Sequence, residues 1–106
     1  MAAIIYDRKA VIMGDLENRL EKCREYCLAS NLEVIVEITE YHSGIGFPKP
    51  GFVAALTAAQ SAGQEVILIA WSPDRISRDK QELNTMTSEC EANGINIVYV
   101  NHPEVK

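Results

Sequence analysis

Hydrophobic residues along the chain switch repeatedly between two spacings, one typical of strands and the other typical of helices. Short apolar or alternating runs predict β-strands at residues 2–6, 33–41, 66–71 and 96–101. Between these runs, apolar residues recur at steps of three and four, which predicts helices at residues 15–30, 50–63 and 79–93. Strands and helices therefore alternate along the chain.

An alternating order of strands and helices predicts a parallel sheet, because neighbouring parallel strands need a crossover connection that a helix usually supplies. We expect an α/β fold, a three-layer sandwich with a mainly parallel four-stranded sheet in the order 2-1-3-4. The run 66–71 is apolar throughout and suits a central strand, whereas 33–41 alternates, less cleanly at Ile35, and suits a sheet edge. Ligands of such sheets bind beyond the carboxyl ends of the strands where the strand order reverses, here between the first and third strands.

Basic side chains gather just beyond the predicted strands, although the chain is acidic, with 15 Asp and Glu against 10 Lys and Arg and a net charge of −5. Arg8 follows the first strand, and Arg75 and Arg78 follow the third. Because both strands end at the predicted crevice, we expect one anion site there, and forked guanidinium donors suit a phosphate. The alternative from the residues alone is that these arginines are surface cations paired with neighbouring carboxylates, namely Asp7, Asp74 and Asp79.

Composition narrows the class of protein. A chain of 106 residues that is 47% hydrophobic fits a single compact domain at 1–106. It contains no apolar run long enough to span a membrane and no secretion signal, so we expect a cytoplasmic protein that contacts no membrane. Cys23, Cys27 and Cys90 are then reduced thiols, and the placing of Cys23 and Cys27 on one helix face fits packing better than metal binding. We expect no metal and no other cofactor.

The residues at the predicted crevice resemble the N-terminal catalytic domain of the serine recombinases, the resolvase and invertase family. The resemblance covers nearly the whole chain, with its motifs in the right order. These motifs are Tyr6-x-Arg8, Ser43-Gly44, Lys49-Pro50-Gly51-Phe52, Asp74-Arg75-Ile76-Ser77-Arg78-Asp79 and the run that starts at Gly94. The motif after the third strand is fairly specific, and all of them together are a strong signal.

The resemblance implies a chemistry and a set of site residues. In the family, a serine two residues after the first arginine attacks a DNA phosphodiester, and several arginines hold the phosphate and stabilise its developing charge. Carried over by motif, the catalytic positions are Arg8, Ala10, Lys49, Asp74, Arg75 and Arg78. The resemblance also implies DNA as a partner and self-association into a homo-oligomer.

Three residues depart from the family pattern. Ala10 stands where the family has its serine nucleophile, Lys49 stands where it has an arginine, and Arg19 stands where it has a glutamine. A methyl group cannot attack phosphorus, and a lysine cannot make the forked contact of an arginine. We therefore expect the chain to lack strand-cleaving activity as it stands.

Three functions stay open at this point. The chain ends at Lys106, before the family's long dimer helix and any helix-turn-helix domain, and its acidic charge predicts weak DNA binding on its own. The first interpretation is a degenerate recombinase domain that serves as a phosphate-binding interaction or regulatory module. The second is the catalytic portion of a DNA recombinase whose other parts lie outside this sequence. The third is an unrelated α/β module that binds a phosphorylated metabolite.

Other polar residues near the crevice have simpler interpretations. A serine could replace the missing nucleophile, but turn and helix-cap roles are the expectation for Ser43, Ser72 and Ser77. Tyr6, the last residue of the first predicted strand, is expected in the core or as a hydrogen-bond donor. The glutamate-rich second strand and first helix are expected to be solvated faces.

Overall fold

The computed structural model describes residues 1–9, 16–41 and 50–101. Its strands are β1 (Ala2–Lys9), β2 (Glu33–Tyr41), β3 (Val66–Ala70) and β4 (Asn96–Tyr99). Its helices are α1 (Leu16–Ala29), α2 (Pro50–Ser61) and α3 (Lys80–Ala92), and a short 3-10 turn, Pro73–Arg75, precedes α3. None of the helices in these three ranges is long and apolar enough to cross a membrane.

The sheet has the predicted order of strands. All four strands run parallel, in the order β2-β1-β3-β4, so the fold class is confirmed and the sheet is parallel throughout. β3 is a central strand, as its continuous apolar run predicts, and β2 lies at an edge. The strand order reverses between β1 and β3, so their carboxyl ends border the crevice in which sheets of this kind bind ligands.

Each face of the sheet carries its own hydrophobic cluster. On one face, β1 packs against α1 through the buried side chains of Ala3, Ile5, Leu20, Cys23 and Cys27. On the other face, the sheet packs against α2 and α3 through buried side chains that include Ile4, Tyr6, Phe52, Met86 and Cys90. All three cysteines are buried as free thiols, which confirms that Cys23 and Cys27 serve packing.

Local sequence signals set the helix ends. Asp79 caps α3, because its Oδ1 accepts hydrogen bonds from two backbone N–H groups of the first turn. Gly63 and Gly94 follow α2 and α3 with φ of 71° and 73°, a left-handed conformation that costs glycine little. Asn31, just after α1, also has a left-handed backbone with φ of 61°, a conformation that asparagine tolerates better than most residues.

β1 is longer than the sequence predicts, and this moves Arg8 inside the strand. The predicted strand ends at Tyr6, whereas β1 continues to Lys9 and its ladder with β2 pairs Arg8 with Glu40. The charged residues at 7 and 8 suggest a loop, but both are buried in the sheet. A strand end can hold such residues because each finds a partner on a neighbouring element, as described below.

The irregular alternation at Ile35 has a structural cause. In the parallel pairing of β1 with β2, Ala3 lies opposite Val34 and Ile4 lies opposite Val36, so Ile35 is an extra residue in β2. This is a β-bulge, which changes the face toward which the following side chains point. Val34 therefore packs on the α1 side of the sheet, whereas Val36 packs on the α2 side.

Candidate functional site

The carboxyl end of β1 buries three consecutive polar residues. Tyr6, Asp7 and Arg8 are 0%, 2% and 1% exposed, respectively. Side chains alternate along a strand, so Tyr6 and Arg8 belong to one face of the sheet and Asp7 to the other. A buried polar group is costly unless it is hydrogen-bonded, and a buried charge unless it is paired, so the partners of these residues define the site.

Arg8 and the turn after β3 hold each other through backbone carbonyls. Arg8 Nη2 donates a hydrogen bond to the carbonyl oxygen of Asp74, and Arg75 Nη1 donates to the carbonyl oxygen of Arg8 at 3.1 Å. Ile76, the next residue of the turn, is fully buried in the core. These contacts fix two of the predicted site arginines side by side at the carboxyl ends of β1 and β3.

Asp74 orients Arg75 from the same turn. Its Oδ2 lies 3.2 Å from Arg75 Nη2, and its Oδ1 accepts a hydrogen bond from the hydroxyl of Ser72. Burial works against ionisation of Asp74, but the Ser72 hydrogen bond and the charges of Arg75 and Arg8 outweigh it and lower the pKa of this carboxyl. Asp74 therefore stays ionised and matches the charge of Arg75.

The three predicted arginines form a series from buried to exposed. Arg8 is buried, the Arg75 side chain is 26% exposed and Arg78 is exposed. Burial lowers the pKa of Arg8, and the positive charges of Arg75 and Arg78 lower it further, so all three lie within electrostatic range. The sequence predicts a common site for these residues but not this inward position of Arg8, which follows from its place inside β1.

Two predicted catalytic positions, Ala10 and Lys49, lie outside the described residues, as does Ser43. The other serines have the expected structural roles. Ser77 is 3% exposed, and its Oγ accepts a hydrogen bond from the backbone N–H of Asp79 at 3.1 Å. Ser72 is bound to Asp74, as described above.

Asp7 has a partner that its immediate neighbours in the sequence do not suggest. Arg19 of α1 makes a two-pronged contact with it, with Nη2 at 2.7 Å from Oδ2 and Nε at 3.3 Å from Oδ1. Both side chains are nearly buried, at 13% and 3% exposed. This pair ties the start of α1 to the end of β1, and it engages the arginine that departs from the family pattern.

Glu40 is a site residue that sequence analysis missed. The prediction of a solvated face for β2 is wrong at this position, because the Glu40 carboxylate accepts hydrogen bonds from the hydroxyl of Tyr6 and from the backbone N–H groups of Gly51 and Phe52, at 2.9 and 3.2 Å. An anion is favourable at the amino end of a helix, here α2. The sequence does carry a signal for this position, because Glu40 continues the alternate positions of Val36 and Ile38 along β2, and those two side chains face the core.

Gly51 is needed where Glu40 meets α2. A Cβ atom at this position would lie 2.7 Å from Glu40 Cδ and 3.0 Å from Glu40 Cβ, so a larger side chain would displace the carboxylate. Burial and then Glu40 raise the pKa of the Tyr6 hydroxyl, which keeps it protonated as a donor. The glycine of the Lys49-Pro50-Gly51-Phe52 motif thus permits a close contact between β2 and α2.

Comparison with known proteins now identifies the family. Residues 3–106 match the family model described as the resolvase N-terminal domain, so the chain belongs to this family. No curated protein matches the chain.

Solved structures share the fold. The catalytic domain of ISC1926 TnpA, an IS607-like serine recombinase, superposes with a TM-score of 0.85 at 19% identity, covering 100% of this chain and 71% of that one. The N-terminal catalytic domain of TP901-1 integrase gives 0.81 at 17% identity, covering 96% and 78%. A resolvase family site-specific recombinase from Streptococcus pneumoniae gives 0.79 at 14% identity, covering 94% and 72%.

Proposed function

We propose that this chain is a serine-recombinase catalytic domain that binds a DNA phosphate through its arginines and does not itself cut the strand. The observation that carries the proposal is the interlock of Arg8 and Arg75, each of which donates a hydrogen bond to a backbone carbonyl of the other's segment. These two hydrogen bonds hold the cations where the strand order reverses, between β1 and β3, before any ligand binds. Preorganised donors of this kind stabilise a charged phosphate without further rearrangement.

The three arginines would divide the work according to their burial. Arg78 and the exposed part of Arg75 would contact the phosphate oxygens directly. Arg8 is a positioning residue in this proposal, because it is buried and holds the 73–75 turn. Its positive charge would act on the phosphate from inside the protein, without direct contact. Asp74 would keep the Arg75 guanidinium in one orientation.

The chain has no nucleophile at the position where the family has its serine. Ala10 carries only a methyl group, and the hydroxyls of Ser72 and Ser77 already bond within the turn and the helix cap. Without an attacking oxygen the phosphate would be held but not cleaved. The proposed activity is therefore binding.

A second candidate is a phosphate-binding module that does not act on DNA. The observation that favours it is the net charge of −5, since binding to DNA depends on neutralising several phosphates. The two candidates make different predictions about the ligand. The first requires binding to a DNA duplex, whereas the second requires binding of a small phosphorylated compound without duplex binding.

Duplex binding tests the proposal directly. We expect the chain to bind duplex DNA weakly, with an affinity that falls as salt rises, and Arg78→Gln should reduce the salt slope by about 0.9 because one phosphate contact is lost. Arg24→Gln, which removes an exposed arginine of α1 remote from the turn, is the matched control and should leave the slope unchanged. Equal effects of the two variants would contradict the proposal, and so would an absence of duplex binding at low salt.

Restoring the nucleophile tests the second half of the proposal. The chain as it stands should form no covalent link to a supercoiled or nicked DNA substrate. Ala10→Ser, alone or with Lys49→Arg, restores family residues, and a covalent protein–DNA product from either variant would show that the arginine site is otherwise competent. A covalent product from the unaltered chain would overturn the claim that it does not cut.

A further inference from the structure

A cleft of about 400 Å³ opens beside the interlocked arginines, where the start of α1 meets the segments that follow β3 and β4. Its volume lies within the range of about 300–1,000 Å³ that is common for small-molecule sites. The cleft is lined by Asn18, Arg19, Trp71, Ser72, Asp74, Arg75 and Asn101. The cleft is thus built by parts of the chain that are distant in sequence and meet at the carboxyl edge of the sheet.

The charges of the cleft are balanced, and this decides the kind of ligand. Arg19 is paired with Asp7, and Arg75 is paired with Asp74, so each cation has a carboxylate within 3.2 Å. The cleft lining therefore has no excess positive charge, and the phosphate of the proposed function would lie toward Arg78, which is not part of this lining. A neutral group with several hydrogen-bonding atoms fits the electrostatics of this cleft better.

The lining offers flat surfaces together with mixed hydrogen-bonding groups. Trp71 is partly exposed and lines the cleft, and its indole is planar, as are the guanidinium groups of Arg19 and Arg75. Asn18 and Asn101 are exposed, and each side-chain amide both donates and accepts. A flat ring whose edge carries donors and acceptors complements this combination.

We propose that the cleft binds a nucleobase, presented either by a free nucleotide or by an unpaired position of a nucleic-acid strand. Stacking on aromatic and guanidinium planes would hold the ring, and the two asparagine amides would bond to its edge. The proposal goes beyond phosphate binding, because Trp71 and the two asparagine amides, which would recognise the base, are not part of the arginine site. Arg75 borders both sites, so a bound nucleotide could place its phosphate toward Arg78.

Trp71 is the single tryptophan of the chain, so its fluorescence reports occupancy of the cleft directly. Adenosine and adenosine monophosphate should change the emission in a saturable way, whereas deoxyribose 5-phosphate and inorganic phosphate should not. The other three nucleosides, titrated in the same way, show which base edge the amides prefer. Equal responses to the compounds with and without a base would overturn the proposal, as would no response to any nucleoside.

The two exposed asparagines of the cleft allow a test that does not depend on Trp71 fluorescence. Asn18→Ala and Asn101→Ala should each weaken adenosine binding about five- to tenfold, measured by equilibrium dialysis, because each removes a hydrogen bond to the base. Asn84→Ala, an exposed asparagine of α3 outside the cleft, is the matched control and should have no effect. A loss with Asn84→Ala equal to that with Asn101→Ala would contradict the assignment.

A second pair of ligands distinguishes a base in a nucleic-acid strand from a base in a free nucleotide. A single-stranded oligonucleotide that binds more tightly than the same strand with one abasic position identifies a strand as the source, whereas equal binding of the two strands assigns the pocket to free nucleotides. Adenosine carries no phosphate, so its binding is independent of the arginine site. If the chain binds a duplex but not adenosine, only the proposal of a base pocket is contradicted. If the chain binds adenosine but not a duplex, only the proposed binding of a DNA phosphate is contradicted.

Discussion

Helix α1 carries two arginine–carboxylate pairs that have the same chemistry and different surroundings. Arg19 contacts Asp7 of β1 at 2.7 and 3.3 Å, and Arg24 contacts Glu37 of β2 at 2.6 and 2.8 Å, so both contacts are two-pronged. The side chains of the first pair are 13% and 3% exposed, whereas those of the second are 45% and 31% exposed. The exposed pair has the shorter distances, yet we expect the buried pair to matter far more to the fold.

The difference lies in what each carboxylate would do alone. Glu37 without its arginine would be solvated by water, so an exposed pair of this kind contributes less than about 1 kcal/mol. Asp7 without its arginine would be a charge inside the sheet with no water to solvate it. Arg19 is thus committed to neutralising Asp7, and its position beside the site does not make it a phosphate ligand. The number of arginines near a crevice is a poor guide to its affinity for anions.

The largest expected effect is that of Arg19→Gln, which restores the residue typical of the family. We expect it to lower the free energy of unfolding by about 3–5 kcal/mol, because it leaves the Asp7 carboxylate buried and uncompensated. Urea denaturation measures the loss. The matched variant Arg24→Gln, which breaks the exposed pair on the same helix, should cost less than about 1 kcal/mol.

The double variant Asp7→Asn with Arg19→Gln separates charge from packing. Both groups are then neutral, and the glutamine is the same in the single and double variants, so most of the stability lost in Arg19→Gln should return. If Arg19→Gln costs no more than Arg24→Gln, burial does not distinguish the two pairs. If the double variant is as unstable as the single one, the loss comes from packing and the electrostatic explanation is wrong.

Glu40 is an intermediate case, since its carboxylate is partly buried and is held by donors that carry no charge. Gly51→Ala should lower the free energy of unfolding by about 1–2 kcal/mol, because the added Cβ displaces the carboxylate from its three donors. In a Glu40→Ala background the same change should be neutral or stabilising, since alanine is otherwise the better helix residue by up to about 1 kcal/mol. A double-mutant cycle measures this change of sign, and additive effects would rule out the proposed clash.

The periodic part of the fold follows from the sequence. Apolar runs and helical spacings predict the order of strands and helices, and the need for crossovers then predicts a parallel sheet with β3 inside and β2 at an edge. Even the irregularity at Ile35 is visible as a break in alternation, and the structure shows it as a bulge. These features are predictable because each depends on neighbouring residues or on chain connectivity.

The partners within the site are not predictable in the same way. Asp7 and Arg8 are adjacent in sequence and suggest a surface pair, but in a strand they point to opposite faces, and the partner of Asp7 is Arg19 of α1. The burial of Arg8 depends on the ladder between β1 and β2 continuing to Lys9, which the charge of residues 7–9 conceals. A partner on another element can be assigned only after the elements are placed in space.

The smallest expected effect is that of Glu37→Gln, and its pH dependence completes the comparison. The hydrogen bond from Arg24 lowers the pKa of Glu37 below its ordinary value of 4.5, although partial burial opposes this. A lowered pKa in the folded state means that the stabilisation is present above the ordinary value and is lost as the pH falls through the folded one. At about pH 7 the variant should therefore be less stable than the unaltered chain by less than about 1 kcal/mol, and the gap should close as the pH falls through the lowered pKa of Glu37, and also in about 1 M salt. The loss of stability in Arg19→Gln should persist in the same salt, because water and ions do not reach Asp7. If salt removes the loss of stability equally in both variants, the two pairs do not differ in burial.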